Sequence, residues 1–405
     1  MSEESIQKSR DKAHNAPDVE DSRKPDDPTD LTKPSWKYIG KRAISEFTKD
    51  QCTDLAAGLT YFAVLSLFPA LLALVSLLGV VGQGEQTAET LNGWLEQYAP
   101  EDLQPLLSST ISNLTTQTGA GLALIVGILG ALWTASGYTG AFGRAMNRIY
   151  EVEEGRPVWK LKPAMLLLTF VMLIVVAVII FAIALSGGLA NAVGELVGLG
   201  ETTVLVWSIA KWPVVIALAV LLIALLYYFT PNVEQPKFRW ISLGSLVALI
   251  VAAIAVAAFA FYVSNFSSYS ATYGIIGSVI ILLLGLWIVN NVLLLGAEID
   301  AEVERGRELQ AGLEAEENVQ LPLRDTHGVE KKQEKQEDLI EEGEDLREQH
   351  ADEDYDAKNK DEGQDNDARS ENPGAVTADS TVDPTTRALR GSTVADKKGN
   401  PPRRS

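Results

Sequence analysis

Six long apolar runs constrain this chain more than any other feature: residues 55–81, 119–143, 163–186, 204–229, 241–263 and 272–297. A hydrocarbon core of about 30 Å is crossed by roughly 20 helical residues at about 1.5 Å each, and every run is long enough. Lipid offers no hydrogen-bond partner to backbone N–H and C=O groups, so spanning segments must satisfy them internally. Strands would show short period-2 alternation instead of solid apolar runs. The expected fold is an all-α integral membrane protein, a bundle of six transmembrane helices.

The loops set the orientation. Lys33, Lys37, Lys41, Arg42 and Lys49 precede the first run, and Arg144, Arg148, Arg156, Lys160 and Lys162 separate the second from the third. Lys237 and Arg239 separate the fourth from the fifth, and Arg305 and Arg307 follow the sixth. The intervening loops, 82–118, 187–203 and 264–271, contain neither Lys nor Arg. Positive residues resist translocation, so the basic loops and both termini are expected on the cytoplasmic side. The first 50 residues lack the apolar stretch of a cleavable signal.

The formal charge of -19 lies mostly outside the runs, since residues 301–405 carry 16 Lys and Arg against 28 Asp and Glu. With so little apolar surface to bury, 311–405 is expected to be a disordered acidic tail, and 1–33 a second disordered tail, leaving 34–310 as the membrane domain. Neither tail is basic enough for nucleic acid, so the expected partners are membrane lipids and proteins that dock on the acidic tail. The lone Cys52 permits no internal disulfide and is expected to be a reduced, inert thiol.

Residues 35–50, if helical, place Trp36, Ile39, Ala43 and Phe47 on one side and most of the Lys and Arg on the other, as in a helix lying among lipid headgroups. The long loop 82–118 has helical spacing around Pro100 and Pro105, which predicts two short amphipathic helices over the outer mouth. Gly119, Ala123, Gly127, Ala131, Ala135, Thr139 and Gly143 form an i+4 ladder of small residues along the second run. Close backbone approach is a main source of helix association in lipid, so this helix is expected at the centre of the bundle. A shorter ladder, Gly244, Ala248 and Ala252, makes the fifth helix a candidate neighbour.

Polar residues inside apolar runs are costly and usually face the bundle interior. Lys211 lies about two turns from the outer end of the fourth helix, where it either snorkels to headgroups or lines a path for an anionic substrate. Pro69 removes a backbone donor in the first helix and predicts a kink. Asn291 and Glu298, seven residues apart, share a face of the sixth helix, and Asn290 and Asn291 are expected to bond between helices. Glu298 is read either as pairing with Arg144 or Arg148 or as a gate or proton site. Together with Asp54 at the cytoplasmic start of the first helix, these residues form the candidate substrate path or gate. No catalytic constellation, cofactor motif or metal centre is legible: the only histidines are His14, His327 and His350, all in the terminal segments.

Five motifs carry a resemblance. Asp54 through Phe62 with Ser66-Leu67-Phe68-Pro69, Trp133 through Gly137 leading to Asn147-Arg148-Ile149-Tyr150, Leu226 through Asn232, Tyr262 through Gly274, and Gly296 through Glu302 stand in one order along the chain. From about Trp36 to Arg307 the chain resembles the YihY/virulence factor BrkB family, with Tyr138-Thr139-Gly140 as a local departure. The resemblance implies a six-helix inner-membrane protein with cytoplasmic termini. Members have been labelled ribonuclease BN, and others are linked to serum resistance, virulence or export of envelope lipids. A metal-dependent ribonuclease needs a ligand cluster and a basic groove that this chain does not display. Two expectations remain: a transporter or flippase for an envelope lipid or other anionic substrate, and a scaffold using the same helices only for packing.

Overall fold

In the computed structural model the described residues are 3–80, 120–184, 201–235, 243–265 and 268–371, with a few isolated positions between 81 and 119. They form nine α-helices: α1 Glu3–Asn15, α2 Lys33–Lys49, α3 Cys52–Val80, α4 Ala120–Ile149, α5 Val158–Ala184, α6 Glu201–Phe229, α7 Leu243–Asn265, α8 Ser268–Gln310 and α9 His327–Glu371. The one extended pairing among the described residues is an isolated antiparallel bridge between Val233 and Leu323. Helices thus fall on all six apolar runs. Among the described residues, four segments are long and apolar enough to cross a membrane: Val158–Ile183, Val206–Phe229, Ser245–Val263 and Val279–Gln310, with a shorter apolar helix at Cys52–Leu67. The two amphipathic helices expected in 82–118 lie outside the described residues.

The packing order follows from small and shape-matched faces. The most extensive contacts join α3 to α4 and α7 to α8, and α8 also packs on α2 and α3. The described inner part of the α4 ladder is buried at Ala135 and Thr139, and Thr139 and Thr169 of α5 share a hydroxyl hydrogen bond of 2.8 Å. The α7 ladder does not make it a neighbour of α4; α7 packs instead against α8 and α6. α3 continues through Pro69 to Val80.

At one end, hereafter the collar, the chain departs from its expected organisation. α8 has 43 residues, about 64 Å of helix, far more than a bilayer needs. Its last turns are clad by α2, whose Ile39 and Ala43 are buried, so the apolar face expected among headgroups lies on protein instead. Gly306 permits that approach, because a Cβ there would stand 2.7 Å from Ile39 Cδ1.

The described parts of both terminal segments carry helix as well. α1 buries Ile6, Ser9 and Lys12, and Lys24 is buried between helices, in place of a disordered stretch over 1–33. Val319, Leu321, Leu323 and Val329 belong to the main apolar core, which therefore extends past 310. The chain divides into two compact units, 1–335 and 336–405. α9 runs to Glu371, and the remainder of the expected tail, 372–405, lies outside the described residues. The α9 stretch is rich in Glu, with Lys and Gln, all good helix formers, and free of proline from Leu323 to Asn372.

Candidate functional site

The residues that could do chemistry gather along the seam between α3 and α8 and in the collar below it. The two helices run antiparallel in a fixed register: Cys52 Sγ donates to Glu298 Oε1 at 3.3 Å, and Asn290 Nδ2 donates to Thr60 Oγ1 at 3.1 Å. Both contacts are eight residues apart on each helix, about 12 Å. Ala56 and Leu294 stand halfway between and are both fully buried. Tyr138 Oη donates to Asn290 Oδ1 at 2.9 Å, bringing α4 to the same rung. Asn290 is therefore the interhelical amide. Asn291 instead donates to its own helix, at Trp287 O, 2.8 Å away.

Two helix ends shape the collar. α4 closes in a Schellman motif, with Val152 N–H on Asn147 O at 2.8 Å and Glu151 N–H on Arg148 O at 3.0 Å. The left-handed residue of that motif is Glu151, at φ 53°, and the turn after α2 uses Gln51 at φ 55°. Glycine is the ordinary residue in such positions, and a side chain there costs about 1 kcal/mol. Each side chain is used across the gap: Gln51 Oε1 accepts from Arg148 Nη2 at 3.2 Å, and Glu151 lies 3.7 Å from both Lys49 Nζ and Arg305 Nη2.

Around them lies a buried ionic network. Arg305, 1% exposed, reaches Glu302 at 3.0 Å and Ala315 O at 2.9 Å. Lys24 reaches Glu304 at 2.9 Å and Glu308 at 3.4 Å. Lys12 Nζ donates to Tyr150 O at 2.9 Å and Glu151 O at 3.2 Å, where a cation meets the negative end of the α4 dipole. Asp50 is pushed up to about 7, chiefly by burial, with the nearby Arg148 guanidinium opposing. Burial also raises Tyr150 well above its ordinary value.

A second knot caps α6. Arg156 donates to Thr230 O at 2.6 Å and Arg324 donates to Tyr228 O, so two guanidiniums cover the last carbonyls of that helix. Burial and the charge of Arg156 hold Arg324 below its ordinary value. Asn147 Oδ1 accepts from Asn232 N–H at 2.7 Å, tying the motifs of α4 and α6 together.

The structure places the candidate residues in three groups. Glu298 and Arg148 both belong to the collar yet do not pair: among the described residues Glu298 has no Lys, Arg or His within ion-pair distance, and Arg148 faces Asp50 at 3.9 Å and Gln51. The tight turn at Gln51 holds Asp50 against Arg148, which is why the expected partner is diverted. Arg144 is exposed and sits 5.8 Å from the centre of the Phe62 ring, and Asp54 is exposed in the first turn of α3. Lys211 stands apart: it is buried in α6, 18 residues before Phe229 or about 27 Å along the helix, with its Nζ 5.4 Å from the Trp212 ring. The side chain of Pro69 lies outside the described residues. Sequence reasoning missed Lys12, Lys24, Asp50, Gln51 and Arg324; Cys52, expected as a reduced thiol, is free and buried and donates to Glu298.

These features define a polytopic helical membrane protein whose bundle ends in a buried ionic collar. Residues 43–319, more than half the chain, match the family described as virulence factor BrkB, and the chain belongs to that family. It is 30% identical over 269 residues to the ribonuclease-like protein YfkH of Bacillus subtilis, a match covering 66% of this chain and 96% of that protein. UPF0761 membrane proteins of Ralstonia nicotianae and Idiomarina loihiensis are 28% and 26% identical, each over 66% of this chain and over 59% and 90% of their own lengths. No solved structure matches.

Proposed function

We propose that this chain is a six-span protein of the bacterial plasma membrane, both termini in the cytoplasm, that moves an envelope lipid or another anionic substrate across the bilayer. The collar is then cytoplasmic, which agrees with the Lys and Arg of the loops that meet there. The observation that carries the reading is Lys211, 8% exposed inside a helix that is otherwise apolar over its span. A cation inside a span is costly in lipid and usually faces the bundle interior, which favours a lining role. Lys211 would attract the headgroup, and the polar rung of Thr60, Tyr138 and Asn290 would receive it between α3, α4 and α8. Asn291, Pro69, Asp54, Arg144 and Arg148 belong to the same path as its lining and inner rim. No enzyme activity, cofactor or nucleic-acid partner enters this reading, and the ribonuclease-like name of YfkH is not carried over. Protein partners of α9 are compatible with it.

The test is lipid translocation by purified protein in liposomes, each variant normalised to folded protein. Lys211→Gln should lower the rate at least tenfold with little loss of folded protein, and Lys211→Arg should retain more. Wild-type protein that moves no lipid class, while Lys211→Gln still complements a deletion strain, would leave the scaffold reading in its place.

A further inference from the structure

Among the described residues the buried Glu298 carboxyl has no cation within ion-pair distance, and its one hydrogen-bond partner is the Cys52 thiol. α2 turns Arg42, Glu46 and Lys49 toward the collar, the following turn adds Asp50, and α3 adds Cys52. α4 and its end contribute Arg148, Tyr150 and Glu151, and α8 contributes Glu298, Asp300, Glu302, Glu304 and Arg305. Glu46 pairs with Arg42 at 3.0 Å and Lys49 at 2.8 Å, Asp50 with Arg148 at 3.9 Å, and Glu304 with Lys24 at 2.9 Å. Glu151 has Lys49 and Arg305, each at 3.7 Å, and Glu302 has Arg305 at 3.0 Å. Glu298 is 1% exposed and receives a thiol, a weak donor. Asp50, another carboxyl, stands two residues before the Cys52 that touches it, at the turn leading into α3.

We propose that Glu298 is a proton-binding site, holding a proton in this structure and exchanging it with solvent at the collar through Asp50. An unpaired carboxylate in so dry a place is costly enough that the group neutralises instead. The carboxylic acid then accepts the Cys52 S–H on one oxygen. Releasing the proton would set a second negative charge beside Asp50, and the proton's route out is the Asp50 carboxylate, which takes it up and passes it to water. Asp50 suits that role on geometry, since it sits at the collar's strained turn with its side chain 12% exposed. Burial also places its titration near neutral pH. This inference rests on the transport reading only for the use made of the proton.

Infrared spectroscopy of the full chain in lipid tests it without any translocation assay. At pH 6 the wild type should show a protonated-carboxyl stretch, additional to that of Asp50, that shifts in D2O and is lost in Glu298→Gln. Asp50→Asn should keep that band, and the double variant should lose it. Deuterium should reach Glu298 at least tenfold more slowly in Asp50→Asn than in wild type. A wild type without a band assignable to Glu298 would overturn the site, and an unchanged exchange rate in Asp50→Asn would overturn the route. The measurement uses wild type first, so misfolding of a variant does not rescue the idea.

Discussion

The two halves of α8 are built on opposite rules. Toward its start Ile276 is 67% exposed and Ile280 52%, whereas in its last turns Glu298, Glu302, Arg305 and Glu308 are at most 1% exposed. A helix in water would reverse both. The contrast shows that the apolar half meets lipid and draws little from burial, so close packing and a few polar rungs must hold it. The charged half is enclosed by α2 and the terminal segments, and it is held by ion pairs whose value depends on every partner being present.

The sharpest way to break that contrast is with two alanines. At Gly155 a Cβ would stand 1.7 Å from Asp325 O, so Gly155→Ala should cost more than about 3 kcal/mol and strip the collar of folded protein in a thermal melt. At Gly130, in the membrane half, nothing lies within 4 Å of a Cβ, and alanine should be neutral or stabilise by up to about 1 kcal/mol. Equal effects would erase the distinction. Next, Lys24→Met leaves Glu304 and Glu308 short of a buried cation and should destabilise by about 3 kcal/mol in the same assay.

pH gives a smaller and signed effect. The Asp50 carboxyl is raised to about 7 in the folded protein from 3.8, so the folded state binds the proton more tightly than the unfolded one. Its contribution is fully present below pH 3.8 and is lost as pH rises through about 7. The slope reaches at most about 1.4 kcal/mol per pH unit between those values. Asp50→Asn should flatten a plot of melting temperature against pH over that window, and an unchanged slope would place the titration elsewhere. Smallest is Gln51→Gly: relief of the left-handed backbone, about 1 kcal/mol, is partly offset by loss of the Arg148 hydrogen bond. The variant should melt within a few degrees of wild type.

What the sequence showed and what it hid divide along the same line. The apolar runs were legible because lipid demands solid apolar helices. Asn290 and the inner part of the α4 ladder were legible because a polar or small residue inside such a run usually turns toward a neighbouring helix. The collar was not. A lysine such as Lys24 in a polar segment reads the same whether water or two glutamates surround it. The apolar face of α2 would satisfy lipid or protein equally, and only the length of α8 decided for protein. Gln51 and Glu151 hid their backbone geometry because neither is glycine. Glu298 stood out as a carboxyl at the end of an apolar run, but its diversion from Arg148 depended on that unseen turn.

The contact of Lys24 with Glu304 joins residues 280 positions apart in the chain. Synthesis makes one of them near the beginning and the other after the last apolar run, so Lys24 waits without these partners while every helix between is inserted. Only a finished bundle offers it a seat. The latch therefore reports completion: a chain halted before α8 would leave its N-terminus open to proteolysis, and a completed one would protect it.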